Sequence, residues 1–510
     1  METGSNQGAM TKKIKSCDEE DGISSLPDTL IHHILSFLLS TEEAVKTGIL
    51  SKRWRDQWTY VQNLNFNYPY CFSDEKLKCF SKFIHNTLVL NSCSKINKFS
   101  ISPRLSSDKY MSEYQSQISL CMRFAIKKEA KVLTLDFHPS NQGYRLPQFF
   151  YSNDSVTEMT LSSCGFSLNA DVNWRSLKVL CIQFAYLTNR VIKDILSGSP
   201  QLESFELHNC QGIGQLDIAS KCLKRLVLDG IKWAPLDVLE ISGPYLEKLE
   251  FSHTWEFRGG ILMNLPSLSC ATLDCQRLNR MNHIRADDDY DDSDDDDDDE
   301  EEEEEVEEDE DEHEEEEEGY KIFVEGVLQQ VQHVEELKVG AWFIQRLSIM
   351  EVNGQTSPLS NSKCLTVIVP CFITALPGIA ILLSSSPGLE KLRIMLESGK
   401  SGQCEFPTGF QEFSLLVEKY WMSYKKTINP LSHLKTVHII GLNADYPEYK
   451  LVLEFAEFLH GNARVLEEMM IAEHASRIDF VHEVSRKLWS MQRSSPNTIV
   501  KFHRDVEEFC

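Results

Sequence analysis

Apolar residues recur along the chain in a short pattern, L-x-x-L-x-L, with aliphatic residues, Phe or Met at the first, fourth and sixth places. From Val132 onward the copies start 21 to 25 residues apart, within the range of about 20–29 residues that is typical of units contributing one buried strand each. The pattern therefore predicts a solenoid of parallel strands joined by helices and loops. The copies in the first half of the chain are Ile96/Phe99/Ile101, Val132/Leu135/Phe137, Val156/Met159/Leu161, Leu177/Leu180/Ile182, Leu202/Phe205/Leu207, Leu223/Leu226/Leu228, Leu246/Leu249/Phe251 and the weaker Leu268/Ala271/Leu273.

Two longer segments repeat each other at an offset of 187 residues, 191–207 and 378–394. Each has an apolar helical pattern, a Ser-Pro turn and then an alternating pattern typical of a buried strand. The second segment overlaps 365–383, which is 19 residues without a charge, about the length that crosses a bilayer. Two internal prolines and the alignment favour a strand, a loop and a helix of one repeat unit over a membrane span.

The pattern resumes in the last third of the chain with looser spacing, which predicts longer helices or loops. The final unit, 453–471, reads as a helix followed by a strand through Leu466, Met469 and Ile471, and 498–502 is a candidate closing strand. Solenoids need such terminal caps to stay soluble. The resumed copies are Val334/Leu337/Val339, Cys364/Val367/Val369, Leu389/Leu392/Ile394 and Leu434/Val437/Ile439.

Residues 22–67 have a different pattern, which predicts three short helices. Thr41 is a candidate cap for the second helix, and Ser51 for a third in which Trp54 and Trp58 stand four residues apart on one face. A module this short has more apolar residues on its helices than its own core can bury. The surplus is expected to bury against a partner or the next domain, although the module could instead serve only as a cap for the solenoid. The stripe of the first helix consists of Leu30, Ile31, Ile34, Leu35 and Leu38.

Three groups of residues in this module resemble a plant-type F-box: Leu26-Pro27-Asp28, Ile34-Leu35-Ser36-Phe37-Leu38, and Leu50-Ser51-Lys52-Arg53-Trp54-Arg55 followed by Trp58. The resemblance implies that the Leu-Pro start and the apolar stripe of the first helix bind a Skp-type adaptor, which is itself bound to a cullin scaffold. Trp54 and Trp58 are expected in the core or at a junction. Gly48 departs from the family, which usually has Ser there. The candidate adaptor contacts are Leu26, Pro27, Leu30, Ile31, Ile34, Leu35, Leu38 and Val45.

The repeats are similar to those of plant F-box/leucine-rich-repeat proteins, and the C-terminal region resembles the FBD module that ends many of them. The expected fold class is α/β: an N-terminal three-helix F-box, then a leucine-rich-repeat solenoid of parallel strands and helices with an FBD-like cap. The expected domains are a disordered N-terminus 1–21, the F-box 22–67, a linker or helix 68–95, repeats 96–285, an acidic disordered insertion 286–319, further repeats 320–430 and the FBD-like region 431–510.

The strand face of the solenoid is the hypothetical binding surface for a protein target. Its candidate contacts are residues between the buried strand positions: Ser204, Glu206, Lys224, Lys248 and Glu250. Cys164 and Cys210 follow the buried strand positions of their repeats. A small thiol at that place is expected to turn inward to the backbone as part of the scaffold.

The formal charge of −27 resides in one segment. Residues 287–318 contain 28 acidic residues and no Lys or Arg; without these 28, 50 acidic residues remain against 51 basic ones. Self-repulsion and the lack of apolar residues predict disorder. The tract either is a solvated expansion without a function or attracts basic partners such as histones in a salt-sensitive way. In both cases the solenoid is expected to close across it.

No pattern of catalytic, metal-ligating or phosphate-binding residues was recognised, so the expectation is a non-catalytic protein without cofactor or metal. The N-terminus lacks an apolar secretory signal, and scattered Cys without C-x-x-C pairs are typical of a cytoplasmic or nuclear protein. No membrane and no nucleic-acid contact is expected.

The resemblance implies a substrate-recognition subunit of a Skp–cullin–F-box-type ubiquitin ligase. In that role the F-box would hold the adaptor and the repeats would hold an unknown protein target. The alternative is a non-degradative repeat scaffold whose acidic tract binds basic proteins such as histones.

Overall fold

A computed structural model describes residues 26–67, 74–103, 108–137, 144–167, 171–231, 239–252, 261–274, 310–354, 360–369, 371–397, 410–427, 431–443, 448–473, 484, 486–487, 495 and 498–503. It divides into two compact units. The first comprises Met1–Ser106 and Ser116–Thr134, and the second Ser107–Gln115 and Leu135–Cys510. The expected disorder of 1–21 and of 286–309 lies outside the described residues.

The first unit begins with two α-helices, α1 (Asp28–Ser36) and α2 (Thr41–Lys46). The cap of α2 is Ser40 and not the predicted Thr41: its hydroxyl accepts from Glu43 N at 3.2 Å, and the Glu43 carboxylate accepts from Ser40 N at 3.3 Å. This reciprocal capping box satisfies two backbone N–H groups at the start of the helix. The predicted third α-helix is absent from the described module. Turns and two short 3-10 helices, Thr47–Ile49 and Gln57–Tyr60, occupy that part of the chain.

Repeat strands begin earlier than the sequence pattern predicts. Strand β1 (Asn63–Asn67) pairs in parallel with β2 (Lys98–Ser102), which places buried Leu64 opposite buried Phe99. Two long helices follow β1 and β2, namely α3 (Asp74–Leu90) and α4 (Asp108–Lys127). The next strand is β3 (Val132–Asp136), and the division between the units falls within it, between Thr134 and Leu135.

The second unit is built on a long parallel sheet in which consecutive repeat strands are neighbours. Along the sheet they follow one another in chain order. The strands are β5 (Glu158–Ser162), β7 (Val179–Gln183), β8 (Ser204–His208), β10 (Arg225–Asp229), β12 (Lys248–Ser252), β14 (Cys270–Asp274), β15 (Glu336–Val339), β16 (Cys364–Val369), β17 (Lys391–Leu396), β18 (Thr436–Leu442), β19 (Glu468–Glu473) and β20 (Ile499–His503). The predicted closing strand is therefore confirmed, because β20 pairs in parallel with β19.

The segments between these strands are of two kinds. Three short strands, β9 (Gln215–Asp217), β11 (Leu239–Ser242) and β13 (Ile261–Asn264), form a second parallel sheet, and β4 (Tyr144–Arg145) pairs with β6 (Cys164–Gly165). Helices lie in further connections: a 3-10 helix at Gln148–Tyr151, α5 (Asn189–Gly198), α6 (Glu310–Gln330), α7 (Ala341–Val352), α8 (Phe372–Ser385), α9 (Phe410–Thr427) and α10 (Tyr449–Asn462). The longer spacing of the last repeats is explained by these helices.

The two segments related by the offset of 187 residues have the same local structure. Helix α5 leads into β8, and α8 leads into β17. In both turns a serine carbonyl accepts from the leucine three residues later, Leu202 N to Ser199 O and Leu389 N to Ser386 O, each at 3.1 Å. The uncharged stretch is thus part of β16 and of α8, as predicted. Among the described residues, no helix is long and apolar enough to cross a membrane.

Two repeats were predicted in a register shifted by two residues. Val132 and Cys364 were assigned to the first buried place of their copies, but both side chains are only half-buried and stand on the outward side of their strands. The first buried place is occupied by Ala130 in one repeat and by Ser362 in the other. The Ser362 hydroxyl donates to the carbonyl of Val334 at 3.2 Å, which satisfies a polar group where other repeats have Leu.

The sheet continues directly across the acidic segment. Cys270 of β14 stands opposite Glu336 of β15, so two adjacent strands flank an insertion of more than sixty residues. The solenoid closes across the tract, as expected. One correction concerns its C-terminal end, where Glu310–Gly319 belongs to helix α6, since the helix extends from Glu310 to Gln330.

Candidate functional site

The N-terminal module has a small core. Trp54 is buried and Trp58 is partly buried, as expected of core or junction residues. Ile31 and Leu35 are 0% and 2% exposed, so two of the predicted adaptor contacts are core residues of the module in this structure. The buried residues are Ile31, Leu35, Ala44, Trp54 and Val61, with Leu26, Leu38 and Trp58 packed against them.

Helix α1 exposes apolar side chains beside the two that it buries. Leu30 is 48% exposed, Ile34 43% and Phe37 72%. Spacings of four and three residues place the three on one side of the helix, and they are called the α1 face below. Phe37 was missed as a candidate although it follows Leu30 and Ile34 at helical spacing. Leu39, Ile49 and Leu50 are further exposed apolar residues of this module that were not predicted.

The remaining predicted adaptor contacts lie around α1. Pro27 is exposed and immediately precedes the helix, where its fixed φ suits a helix start. Val45 of α2 is half-buried. An ion pair of 2.8 Å between Asp28 and Arg53 links the start of α1 to the segment after α2. As an exposed pair it contributes at most about 1 kcal/mol to stability.

A second group of polar side chains lies on the outward positions of β7, β8, β10 and β12. Strand register places Ser204 opposite Arg225, and Arg225 opposite Lys248. Arg225 donates to Glu250 at 3.0 and 3.2 Å, and it also bonds Glu206. The polar strand cluster is defined as Cys181, Ser204, Glu206, His208, Arg225, Asp229, Glu250 and Ser252.

Hydrogen bonds and charges within the polar strand cluster shift its titrating groups. The pKa of Glu206 is lowered to about 2, mainly by its polar contact with His208, whose Nε2 lies 3.7 Å from the Glu206 Oε2, with Arg225 contributing. The pKa of His208 is raised to about 11, mainly because its Nδ1 lies 3.0 Å from the Asp229 carboxylate. The cluster is therefore a strongly coupled ionic network on the strand face.

Three of the five predicted target contacts, Ser204, Glu206 and Glu250, belong to this cluster. Lys248 starts β12 and is exposed, and Lys224 precedes β10 and pairs with Glu247 at 2.6 Å. In this repeat, Arg225 and not Lys224 occupies the outward strand position opposite Ser204. His208, Arg225 and Asp229 were missed, although their position at every second residue of a strand was a usable signal.

The strand face of β15 to β18 carries a different charge pattern. Lys338, Lys391 and Arg393 stand on outward positions, and no carboxylate among the described residues pairs with Lys391 or Arg393. Burial, Lys391 and Arg393 lower the pKa of His438 on the next strand. Lys338, Lys391 and Arg393 are called the cationic row below. Glu336 lies in the same area, so the charge of the row is partly offset.

Cys164 and Cys210 have the structural role that was predicted. The Cys210 thiol donates to the carbonyls of Ile182 and His208 at 3.5 and 3.4 Å, and Cys164 donates to Ser162 O at 3.5 Å. Burial raises the pKa of Cys210 to about 12 and also raises that of Cys164. Both are consequently poor nucleophiles.

Comparison with known proteins assigns the repeats. The family model for the leucine-rich-repeat (LRR) domain of At1g61320/AtMIF1 matches residues 88–284. The F-box/LRR-repeat protein At5g02910 of Arabidopsis thaliana is 30% identical over 462 residues, which cover 89% of each chain. The putative F-box/LRR-repeat protein At5g02930 of the same plant is 26% identical over 457 residues, 88% of this chain and 87% of the relative. F-box/LRR-repeat protein 25 is 31% identical over 232 residues, 45% of this chain and 84% of that protein.

The similarity to At5g02910 covers 89% of this chain and 89% of that protein. The chain belongs to the F-box/LRR-repeat protein family.

Proposed function

We propose that this chain is the substrate-recognition subunit of a Skp–cullin–F-box-type ubiquitin ligase. The F-box binds a Skp-type adaptor and, through it, a cullin, while the repeats bind a protein target. The observation that carries the proposal is the α1 face, whose three large apolar side chains remain exposed beside a complete module core. Full burial of such a side chain contributes about 1.5–3 kcal/mol, so docking on this face supplies substantial binding energy.

The proposed adaptor contacts differ in how far their side chains are exposed. Ile31 and Leu35 are buried in one core cluster with Trp54 and so fix the position of the α1 face. Their side chains have almost no exposed surface with which to contact an adaptor. We propose that the exposed and half-buried residues contact the adaptor directly. From the predicted set these are Leu26, Pro27, Leu30, Ile34, Leu38 and Val45, and to them we add Phe37, Leu39, Ile49 and Leu50.

The proposed role is non-catalytic. A substrate receptor accelerates ubiquitin transfer by holding the target close to a separate charged enzyme, which turns a bimolecular encounter into a positioned reaction. The buried and hydrogen-bonded thiols of Cys164 and Cys210 agree with this role, because they serve the repeat scaffold.

The test is capture of a purified plant Skp-type adaptor by the full chain. We expect stoichiometric capture by the parent chain and a loss of at least tenfold in affinity for Leu30→Asp/Ile34→Asp. The matched control is Ile322→Asp, which changes an exposed apolar residue of α6 in the second unit. Capture by the control but not by the double variant supports the proposal. Failure of the folded parent chain to bind overturns it, and histone binding that depends on 287–318 would then favour the scaffold alternative.

The cationic row supports the proposal that the target binds through an acidic or phosphorylated segment. Cations on a strand face attract carboxylates and phosphates, and guanidinium groups bind both in a bidentate manner. We expect a library of phosphorylated and acidic peptides to be enriched on the full chain and lost on Lys391→Glu/Arg393→Glu. Lys178→Glu is the control, because that lysine lies outside the row and already pairs with Glu203. Equal enrichment on the double variant would contradict this target chemistry.

A further inference from the structure

Three unlike donor groups converge on the outward side of β7 and β8. Register places Cys181 opposite Glu206, and His208 lies two residues further along the same face. The Cys181 Sγ, one carboxylate oxygen of Glu206 and a ring nitrogen of His208 all lie within 4.8 Å of one another. No other such group of three metal-binding side chains occurs in the described part of the chain.

The distances fit a small tetrahedral ion. The His208 Nε2 and the Glu206 Oε2 are 3.7 Å apart. Zinc bonds of about 2.0–2.3 Å in tetrahedral geometry place two ligand atoms about 3.3–3.8 Å apart. One ligand pair therefore already has the required spacing. The Cys181 Sγ lies no more than 4.8 Å from the other two ligand atoms, so the thiol needs to approach them by at most about 1 Å.

Neighbouring residues already orient the donors. His208 Nδ1 lies 3.0 Å from Asp229 Oδ2, and the Ser252 hydroxyl donates to the other Asp229 oxygen at 3.1 Å. This contact directs Nε2 toward Glu206 and leaves it as the ligand atom. A carboxylate behind the imidazole is the usual outer partner of a zinc-bound histidine.

The charge around the site suits a divalent cation. Glu206 directs Oε1 toward Arg225 and the Ser204 hydroxyl, so its Oε2 is the oxygen that faces His208. Arg225 also bonds Glu250. Three carboxylates, those of Glu206, Asp229 and Glu250, thus face the Arg225 guanidinium and the His208 imidazole. When His208 gives up its proton to bind a metal ion, the excess negative charge favours that cation.

We propose that Cys181, Glu206 and His208 bind one Zn²⁺ on the strand face, with the fourth coordination position open to water or to a side chain of a bound target. A thiolate and an imidazole select zinc over Mg²⁺ and Ca²⁺, which prefer oxygen ligands. The site goes beyond the ligase proposal and does not depend on it. Bound zinc would join β7 and β8 and add a coordination point to the surface on which we place target binding.

The experiment is a Co²⁺ titration of the purified, reduced full chain in excess Mg²⁺. A thiolate bound to Co²⁺ gives a charge-transfer band in the near ultraviolet that carboxylates cannot give, so the acidic tract is silent in this readout. We expect one equivalent of Co²⁺ to develop the band and Zn²⁺ to abolish it. Cys181→Ser should lose the band, and His208→Asn should weaken binding at least tenfold.

Two variants serve as matched controls, Cys222→Ser, which changes an exposed thiol, and His433→Asn, which changes an exposed imidazole. Both should retain the band. Circular dichroism of each variant confirms its fold, and His208→Asn decides the question should Cys181→Ser fail to fold. A folded parent chain without the band, or a band that survives in Cys181→Ser or is unchanged in His208→Asn, would overturn the zinc site.

Discussion

Helices α1 and α8 are both rich in apolar residues, yet they use them differently. Helix α8 buries 12 of its 14 residues, whereas α1 buries only Ile31 and Leu35 of its 9. Helix α8 is apolar on all sides because nearly all of its surface is buried within the repeats. The apolar surface of α1 is only partly buried, and the remainder is available to another chain. The hydrophobicity of a helix therefore does not by itself indicate where a partner binds. The apolar surface that remains exposed after folding does.

The largest difference is expected from the same substitution in the two helices. Leu376→Ala in α8 removes a fully buried side chain and should lower the free energy of unfolding by about 2–5 kcal/mol. Leu30→Ala in α1 should change it by no more than about 0.5 kcal/mol, because that side chain is half exposed. Urea unfolding of both variants measures the difference. Similar losses would mean that α1 is packed against the rest of the chain in solution.

From Ile96 onward, the sequence pattern predicted the repeats in which a large aliphatic residue fills the first buried place, but the earlier copy Val61/Leu64/Phe66 of β1 was missed. It failed in register at two repeats, because Ala130 and Ser362 occupy that place and a template of large apolar residues passes over them. A shift of two residues keeps the alternation of a strand, so the pattern itself could not reveal the error. The pairing of β16 with β17 reveals it, by placing Cys364 opposite Lys391 on the outward face.

The candidate site was predictable only in part. The stripe of α1 was evident from its spacing, but which of its members face the module core depends on Ala44, Trp54 and Val61, which lie further along the chain. The polar strand cluster joins residues from four separate repeats, and its members could be brought together only by the strand register. The predicted Ser51-capped helix is replaced by turns for which the local pattern offered no clear alternative.

A smaller effect tests how closely the repeat helices pack. A Cβ at Gly378 would overlap the Ile344 carbonyl of α7, whereas a Cβ at Gly461 of α10 would meet no atom within 4 Å. Gly378→Ala should therefore destabilise the chain by about 1–3 kcal/mol. Gly461→Ala should stabilise it by about 0.5–1 kcal/mol, because alanine favours the helix. Thermal unfolding of the two variants measures both. Shifts of the same sign would contradict the close contact between α7 and α8.

The smallest expected effect concerns the F-box itself. Ser40→Ala removes the hydroxyl that accepts from Glu43 N and should destabilise α2 by about 1 kcal/mol. Hydrogen exchange of the α2 amides should become about fivefold faster, while exchange in α8 stays unchanged. Ser92→Ala is the control, since that hydroxyl bonds only its local backbone at 3.3 Å. Unchanged exchange in α2 would show that the capping box does not form in solution.

The comparison between α1 and α8 is tested most directly by hydrogen exchange of the full chain with and without a saturating plant Skp-type adaptor. We predict that the adaptor slows exchange in α1 and in the segment around Ile49 and Leu50, where apolar side chains are exposed. We predict no change in α8, whose apolar residues are already covered. Unchanged exchange in α1 with the adaptor bound, or protection confined to the repeats, would contradict the assignment of the α1 face as the binding surface.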